Sequence, residues 1–269
     1  MKRVTSADGT RIVYDRHGEG PPMVLLHGDA TGKEYWKPVT PLLSGEYTLT
    51  ISDRRGRGRS GDTEPYSLQR EIEDARAVID SVDGEPVVFG HSFGGLQAIE
   101  AARDRAVRAV VAYEPAILVG EYREQADLAA RMQERLDAGD PEGAMKRHVK
   151  EVIHGGELEG AALDEWLEEW PVWPEYVTFV EDSVRMNRAL ESYELPERID
   201  LEAPTLLLTG TEAPSHLRDG VRAAHESLVD SRLVEFDGLS HMGPNEAPEQ
   251  VVETVRSFLA ATDAEATTD

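Results

Sequence analysis

PVVFGHSFGGLQAIEAA, residues 86–102, is the stretch that decides how this chain is read. An apolar run of strand length, 86–89, leads into Gly90-His91-Ser92-Phe93-Gly94-Gly95, and a helix-like run follows over 96–102. Strand, sharp turn and helix are the setting that a G-x-S-x-G nucleophile turn requires. A Ser at the apex of so tight a turn has a strained backbone, and Gly90 and Gly94 supply the space where neighbouring backbone closes in. The turn lifts the Ser92 hydroxyl clear of the sheet. It also aims the Phe93 N–H, in the first turn of the helix, toward the same point.

Working outward, strand and helix patterns alternate. Strands are expected at 11–14, behind an Asp8-Gly9-Thr10 turn, and at 22–26, 47–51, 107–113, 204–210 and 232–236. Helices are expected at 67–82, where Leu68, Ile72, Ala75, Val78 and Ile79 share a face, and at 215–228 and 248–261. This order implies a mostly parallel α/β sheet with helices on both faces. One interruption breaks the alternation: 117–198 carries helical periodicity rich in Glu, Arg and Ala, with no convincing strand. The expected organisation is an α/β core of 1–115 and 199–261, a helical cap of 116–198 over the strand ends, and a flexible tail of 262–269.

Composition narrows the function classes. The 269 residues hold 52 Asp and Glu against 28 Lys and Arg, a net charge of −24, which repels nucleic acid and anionic membrane. Only five of the basic residues are Lys, and acid excess with scarce Lys resembles proteins of salt-loving microbes. Cysteine is absent, which excludes disulfides, a thiol nucleophile and Cys-ligated zinc. The start MKRVTSADGT lacks the apolar stretch of a signal peptide, and no run reaches membrane-spanning length, so a cytoplasmic protein is expected.

HGD at 27–29, DRRGRGRSGD at 53–62, GHSFGG at 90–95 and GLSHMGP at 238–244 together resemble the α/β-hydrolase superfamily. The resemblance covers nearly all of the chain outside 116–198 and implies an eight-stranded, mostly parallel sheet. It also implies a Ser, acid, His chain order with the His after the last strand, which makes His241 the general base for Ser92. Of the other histidines, His216 and His225 fall on a helix, His148 and His154 in the cap, and His91 is read as structural. The acid departs from the common pattern. The usual position, after the strand at 204–210, is held by Ala213. Some relatives place the acid one strand earlier, where Glu114 ends the strand VVAYEP, and a buried strand should not end in an unpartnered carboxylate. Glu114 is therefore the expected acid and Glu212, one position off the usual place, the alternative.

The same resemblance implies an oxyanion hole from the backbone N–H groups of Phe93 and Asp29. The Asp29 carboxylate must point away, or it opposes the charge the hole stabilises. The run Arg54-Arg55-Gly56-Arg57-Gly58-Arg59 looks like a nucleic-acid patch, yet it matches a loop the family uses structurally. Trp166, Trp170 and Trp173 recur in the cap as cap core or as the lining of an apolar substrate pocket. The expectation is a cofactor-free and metal-free serine hydrolase acting on a small ester or related acyl compound, as monomer or homodimer, with no nucleic-acid or membrane partner. A C–C bond hydrolase or perhydrolase with the same triad, and a slow-turnover small-molecule receptor, are the alternatives.

Overall fold

In the computed structural model the described residues are 1–266. β1 (Lys2–Thr5), β2 (Arg11–His17), β3 (Pro22–Leu26), β4 (Thr48–Ser52), β5 (Val87–His91), β6 (Ala109–Tyr113), β7 (Thr205–Gly210) and β8 (Ser231–Phe236) form one sheet. The 8-stranded order is β1-β2-β4-β3-β5-β6-β7-β8. The pairs β1–β2 and β2–β4 are antiparallel and the rest parallel.

Because side chains alternate across a strand, each apolar run feeds two cores. Met23, Leu25, Val87 and Phe89 pack on one face with Leu43 and with Val251 and Val255 of the closing helix. Val24, Leu26 and Val88 pack on the other, against Ile72 and Val78 of the helix Leu68–Ile79, Leu96 and Ile99 of Phe93–Ala102, and Val221 of Ser215–Ser227. β5 and β6 are buried at every residue, which is why both read as unbroken apolar runs.

Local departures from the sequence reading have simple causes. β2 extends to His17 because β4 continues to pair with it, Asp15 opposite Ile51 and His17 opposite Leu49. β1 is an outer strand, mostly exposed, and KRVT has no apolar pattern to betray it. A 3₁₀ turn at Lys33–Trp36 and a helical turn at Thr40–Leu43 are too short for periodicity, yet they bury Trp36 and Leu43. The closing helix runs over Pro248–Ala266, which corrects the expected tail at 262–269: residues 262–266 continue the helix, and the rest falls outside the described residues.

Between β6 and β7 the chain is helical, with no strand among the described residues. Its helices Leu128–Asp137, Pro141–His148, Gly160–Glu169 and Val180–Glu191 build a core of their own around Met132, Met145, Leu167 and Val184, which also takes in Ala30. Val180–Glu191 joins the layers, since Val180 and Val184 belong to that cluster while Met186 and Leu190 pack into the sheet's own core.

Candidate active site

Ser92 follows β5 directly and caps the helix Phe93–Ala102 with φ 55° and ψ −121°. Such a conformation costs about 1–3 kcal/mol for a non-glycine residue and persists only where its surroundings impose it. Here the Ser92 N–H donates to Tyr113 O at 2.9 Å, while the Ser92 carbonyl accepts from Gly95 N at 2.8 Å and Ala116 N at 3.0 Å. The flanking glycines are steric necessities: a Cβ on Gly90 would stand 2.0 Å from Gly94 O, and one on Gly94 would stand 2.2 Å from Leu26 O.

Glu114 stands one strand away, just past β6, with φ 43° and no solvent exposure. Its Oε1 accepts from Thr209 Oγ1 at 2.8 Å and from Gly210 N at 3.0 Å. Its Oε2 accepts from His241 Nδ1 at 2.6 Å. A carboxylate oxygen only accepts, so Nδ1 carries the proton and Nε2 keeps its lone pair free. The loop that carries His241 is pinned from below, because Tyr113 Oη donates to Ser240 O at 2.8 Å and His91 Nε2 to His241 O, also at 2.8 Å. His91 thus holds the His241 backbone, and burial keeps its own pKa well below the usual imidazole value. Glu212, the alternative acid, is exposed, and Ala213 is buried where the common pattern has its carboxylate. Ser92 makes no hydrogen bond to His241 here, but both face one cavity.

At the carboxyl end of β3, the Asp29 N–H has no acceptor among the described residues, and the Phe93 N–H sits at a helix start, where no intrahelical acceptor exists. The Asp29 carboxylate is tied elsewhere. Its Oδ1 accepts from Ala30 N at 2.6 Å, Ser183 Oγ at 3.0 Å and Arg57 Nη2 at 3.4 Å, and its Oδ2 lies 3.0 Å from His148 Nε2. Burial acts to raise the Asp29 carboxyl, but His148 and Arg57 outweigh it and hold the group well below the ordinary carboxylate range. Arg57 is itself pulled down to about 10 by burial, against the attraction of Asp29. It also pairs with Asp182 and lies 4.2 Å from the Phe179 ring. His148 Nδ1 is 3.1 Å from Tyr176 Oη. The loop that carries Asp29 is thereby clasped to the helical insertion, directly by His148 and Ser183 and through Arg57 by Asp182. Sequence reasoning missed this clasp, and no spacing in the sequence signals it.

The arginine run is a buried frame. Arg54 makes paired bonds to Glu71 at 2.7 and 3.2 Å and lies 4.2 Å from the Phe93 ring. Arg55 bonds Asp74 at 2.7 and 2.9 Å. Of its four arginines only Arg59 is exposed.

Two cavities meet at Ser92. The larger, about 780 Å³, is lined by Tyr35, His241, Trp166, Trp170, Tyr176 and Phe179 among others. The smaller, about 340 Å³, is lined by Ile117, Leu118, Met186, Leu190 and Leu217 together with polar groups. Trp173 corrects the expectation of a three-tryptophan pocket: it lies outside both linings and packs on Tyr176 with ring centroids 6.2 Å apart. His216, set aside in the sequence reading, lines the smaller cavity, and burial pushes its pKa down to about 4. Among the described residues no cluster of His, Asp and Glu could hold a metal ion, and no helix is long and apolar enough to cross a membrane.

Known proteins share this fold. A lipase, LipV, of Mycobacterium tuberculosis is 29% identical over 91% of this chain and 96% of its own. An (E)-2-((N-methylformamido)methylene)succinate hydrolase of Acinetobacter baylyi is 26% identical over 93% of this chain and 94% of its own. Among solved structures, an alpha/beta hydrolase from Sphaerobacter thermophilus superposes with a TM-score of 0.83 at 27% identity, covering 96% of this chain and 99% of that one. The model of the alpha/beta hydrolase family matches residues 23–254, which hold β3 to β8 and the helical insertion: the chain is a hydrolase and belongs to the alpha/beta hydrolase family.

Proposed function

We propose that this protein is a cofactor-free serine hydrolase of small esters or related acyl compounds, with Ser92 as nucleophile, His241 as general base and Glu114 as the acid. The observation that carries the reading is the 2.6 Å contact between a fully buried Glu114 carboxylate and His241 Nδ1. That contact holds the imidazole in the tautomer whose Nε2 can take a proton. In the first half-reaction the Ser92 Oγ–C bond forms as His241 takes the hydroxyl proton. The bond to the leaving group then breaks as His241 returns the proton to it. Water attacks the acyl-enzyme by the same proton route and releases the carboxylic acid. The Phe93 and Asp29 N–H groups receive the oxyanion, and the clasp on the Asp29 side chain turns its charge away from that site. The helical insertion acts as the cap that roofs the two cavities, and the lipase name of one relative supports acyl transfer as the reaction class.

The test is covalent labelling with a fluorophosphonate, together with p-nitrophenol release from p-nitrophenyl butanoate. The adduct is expected on Ser92 alone, with Ser92→Ala losing both signals. An adduct on another serine, or full turnover by Ser92→Ala, rejects the proposal.

A further inference from the structure

Ser92 lies in the wall of both cavities, whereas His241 lies in the wall of the larger one only. This asymmetry decides which part of a substrate goes where. The proton that His241 takes from Ser92 must be delivered to the departing atom, so that atom has to sit on the His241 side. Of the remaining substituents on the attacked carbon, the carbonyl oxygen turns to the Asp29 and Phe93 N–H groups, and the acyl chain has only the other cavity to enter.

Resting on the serine-hydrolase reading, we infer that the smaller cavity takes a short, uncharged acyl group and the larger one a bulky aromatic leaving group. The smaller space, about 340 Å³, equals about eleven water-sized volumes of about 30 Å³, and a methylene takes nearly as much room as a water, so a chain of about a dozen carbons overfills it while a short one fits. Its floor is aliphatic: Ile117, Leu118, Met186, Leu190 and Leu217. Its rim is acidic, with Glu121, Asp127, Glu151 and Glu191. The one guanidinium there, Arg131, is already engaged, bonding Asp127 at 2.7 Å and Glu151 at 2.6 Å. A carboxylate at the far end of an acyl group meets like charge with no free cation to receive it, and a long alkyl tail is pressed onto carboxylates that need water. The larger space, about 780 Å³, has Tyr35, Trp166, Trp170, Tyr176 and Phe179 in its wall, an aromatic lining that suits a flat apolar ring.

A grid of esters tests this. Butanoate is supplied as the ethyl and the 2-naphthylmethyl ester, alcohols of similar acidity. Acetyl, butanoyl, octanoyl, dodecanoyl and hemisuccinyl groups are compared on 2-naphthylmethanol. The expected kcat/KM is about ten-fold or more higher for 2-naphthylmethyl than for ethyl butanoate. It falls by a similar factor from butanoyl to dodecanoyl, and again from butanoyl to hemisuccinyl. Leu118→Trp, at a half-buried position, is expected to shift the acyl optimum toward acetyl while keeping the leaving-group ratio. Trp170→Ala is expected to lower the leaving-group ratio while keeping the acyl profile. Equal rates for both alcohols, dodecanoyl or hemisuccinyl preferred, or the two variants exchanging their effects would overturn the assignment. The native grid decides even if a variant fails to fold. Fluorophosphonate labelling separates the two failures: a labelled Ser92 with the wrong selectivity rejects only the cavity assignment, and an unlabelled Ser92 with no ester turnover rejects the hydrolase reading and this one with it.

Discussion

Replacing Glu114 by Gln changes one carboxylate oxygen to an amide nitrogen, and the surroundings dictate which one. Gly210 N–H points at Oε1 from 3.0 Å and cannot become an acceptor, so the amide oxygen must stay there. The NH₂ group is then forced into the place of Oε2, 2.6 Å from His241 Nδ1, and it can only donate. Nδ1 must give up its proton to receive that bond, and the proton moves to Nε2, the atom that accepts from Ser92 in the proposed mechanism. The variant therefore holds the base in the wrong tautomer in a site that is otherwise intact. The corresponding change in another Ser-His-acid enzyme lowers kcat about 10⁴-fold, about 5.5 kcal/mol of transition-state stabilisation, and a loss of that order is expected here. The assay is kcat for p-nitrophenyl butanoate, normalised to active enzyme, with circular dichroism to establish that the fold is unchanged. Glu212→Gln is the control: this exposed side chain takes no part in the His241 hydrogen bonds, and its rate should stay within about two-fold of the parent. A folded Glu114→Gln protein that keeps more than a tenth of the activity would refute the reasoning. So would a Glu212→Gln variant that loses as much.

Three further outcomes follow from the same structure. Gly94→Ala puts a methyl group 2.2 Å from Leu26 O and 2.6 Å from His27 O, both backbone atoms with no room to give, so urea unfolding should register a loss of about 3 kcal/mol or more; under about 1 kcal/mol contradicts the steric account. With a net charge of −24, self-repulsion dominates in dilute buffer and is screened to about 3 Å at 1 M salt, so Tm should climb between 0.05 and 2 M KCl, and equal Tm values would remove the salt-loving reading. Burial keeps His27 and His91 neutral far below their usual pKa and pushes His216 down to about 4, so the unfolded chain gains protons below about pH 6.5 that the folded chain refuses, and stability is lost as pH falls from there toward 4. Asp74, pushed up to about 6 by burial, works in the opposite direction but is one group against several rings, so urea unfolding should give a lower stability at pH 5.5 than at pH 8, by on the order of a few kcal/mol; no difference would mean these rings accept protons in place.

What the sequence determined by itself was whatever depends on near neighbours along the chain. GHSFGG is legible because a strand, a strained apex and a helix must each meet local demands within a few residues, and Gly90 answers a contact made inside that turn, whereas the backbone that Gly94 clears, Leu26 and His27, comes from a strand far away in the chain. Glu114 was legible for a similar reason: a carboxylate closing a strand of five buried residues needs a partner, whoever that partner is. The two-faced sheet is encoded by apolar runs that carry both cores at once. The tertiary structure alone decided who the partners are. Glu114 meets His241 across 127 residues, because β7 and β8 lie beside β6 and bring the loop after β8 to its end. Asp29 meets Ser183 across 154 residues, and Arg57 meets Asp182 across 125. On their own helices those residues look like ordinary polar positions, and the arginine run looks like a surface patch until Glu71, Asp74 and Asp182 are seen to bury it. The division of the space around Ser92 into an aliphatic and an aromatic cavity is of the same kind. Periodicity tells which face of an element is buried, but not what it is buried against, since strand order and the seat of the helical layer are settled by packing among segments far apart in the chain.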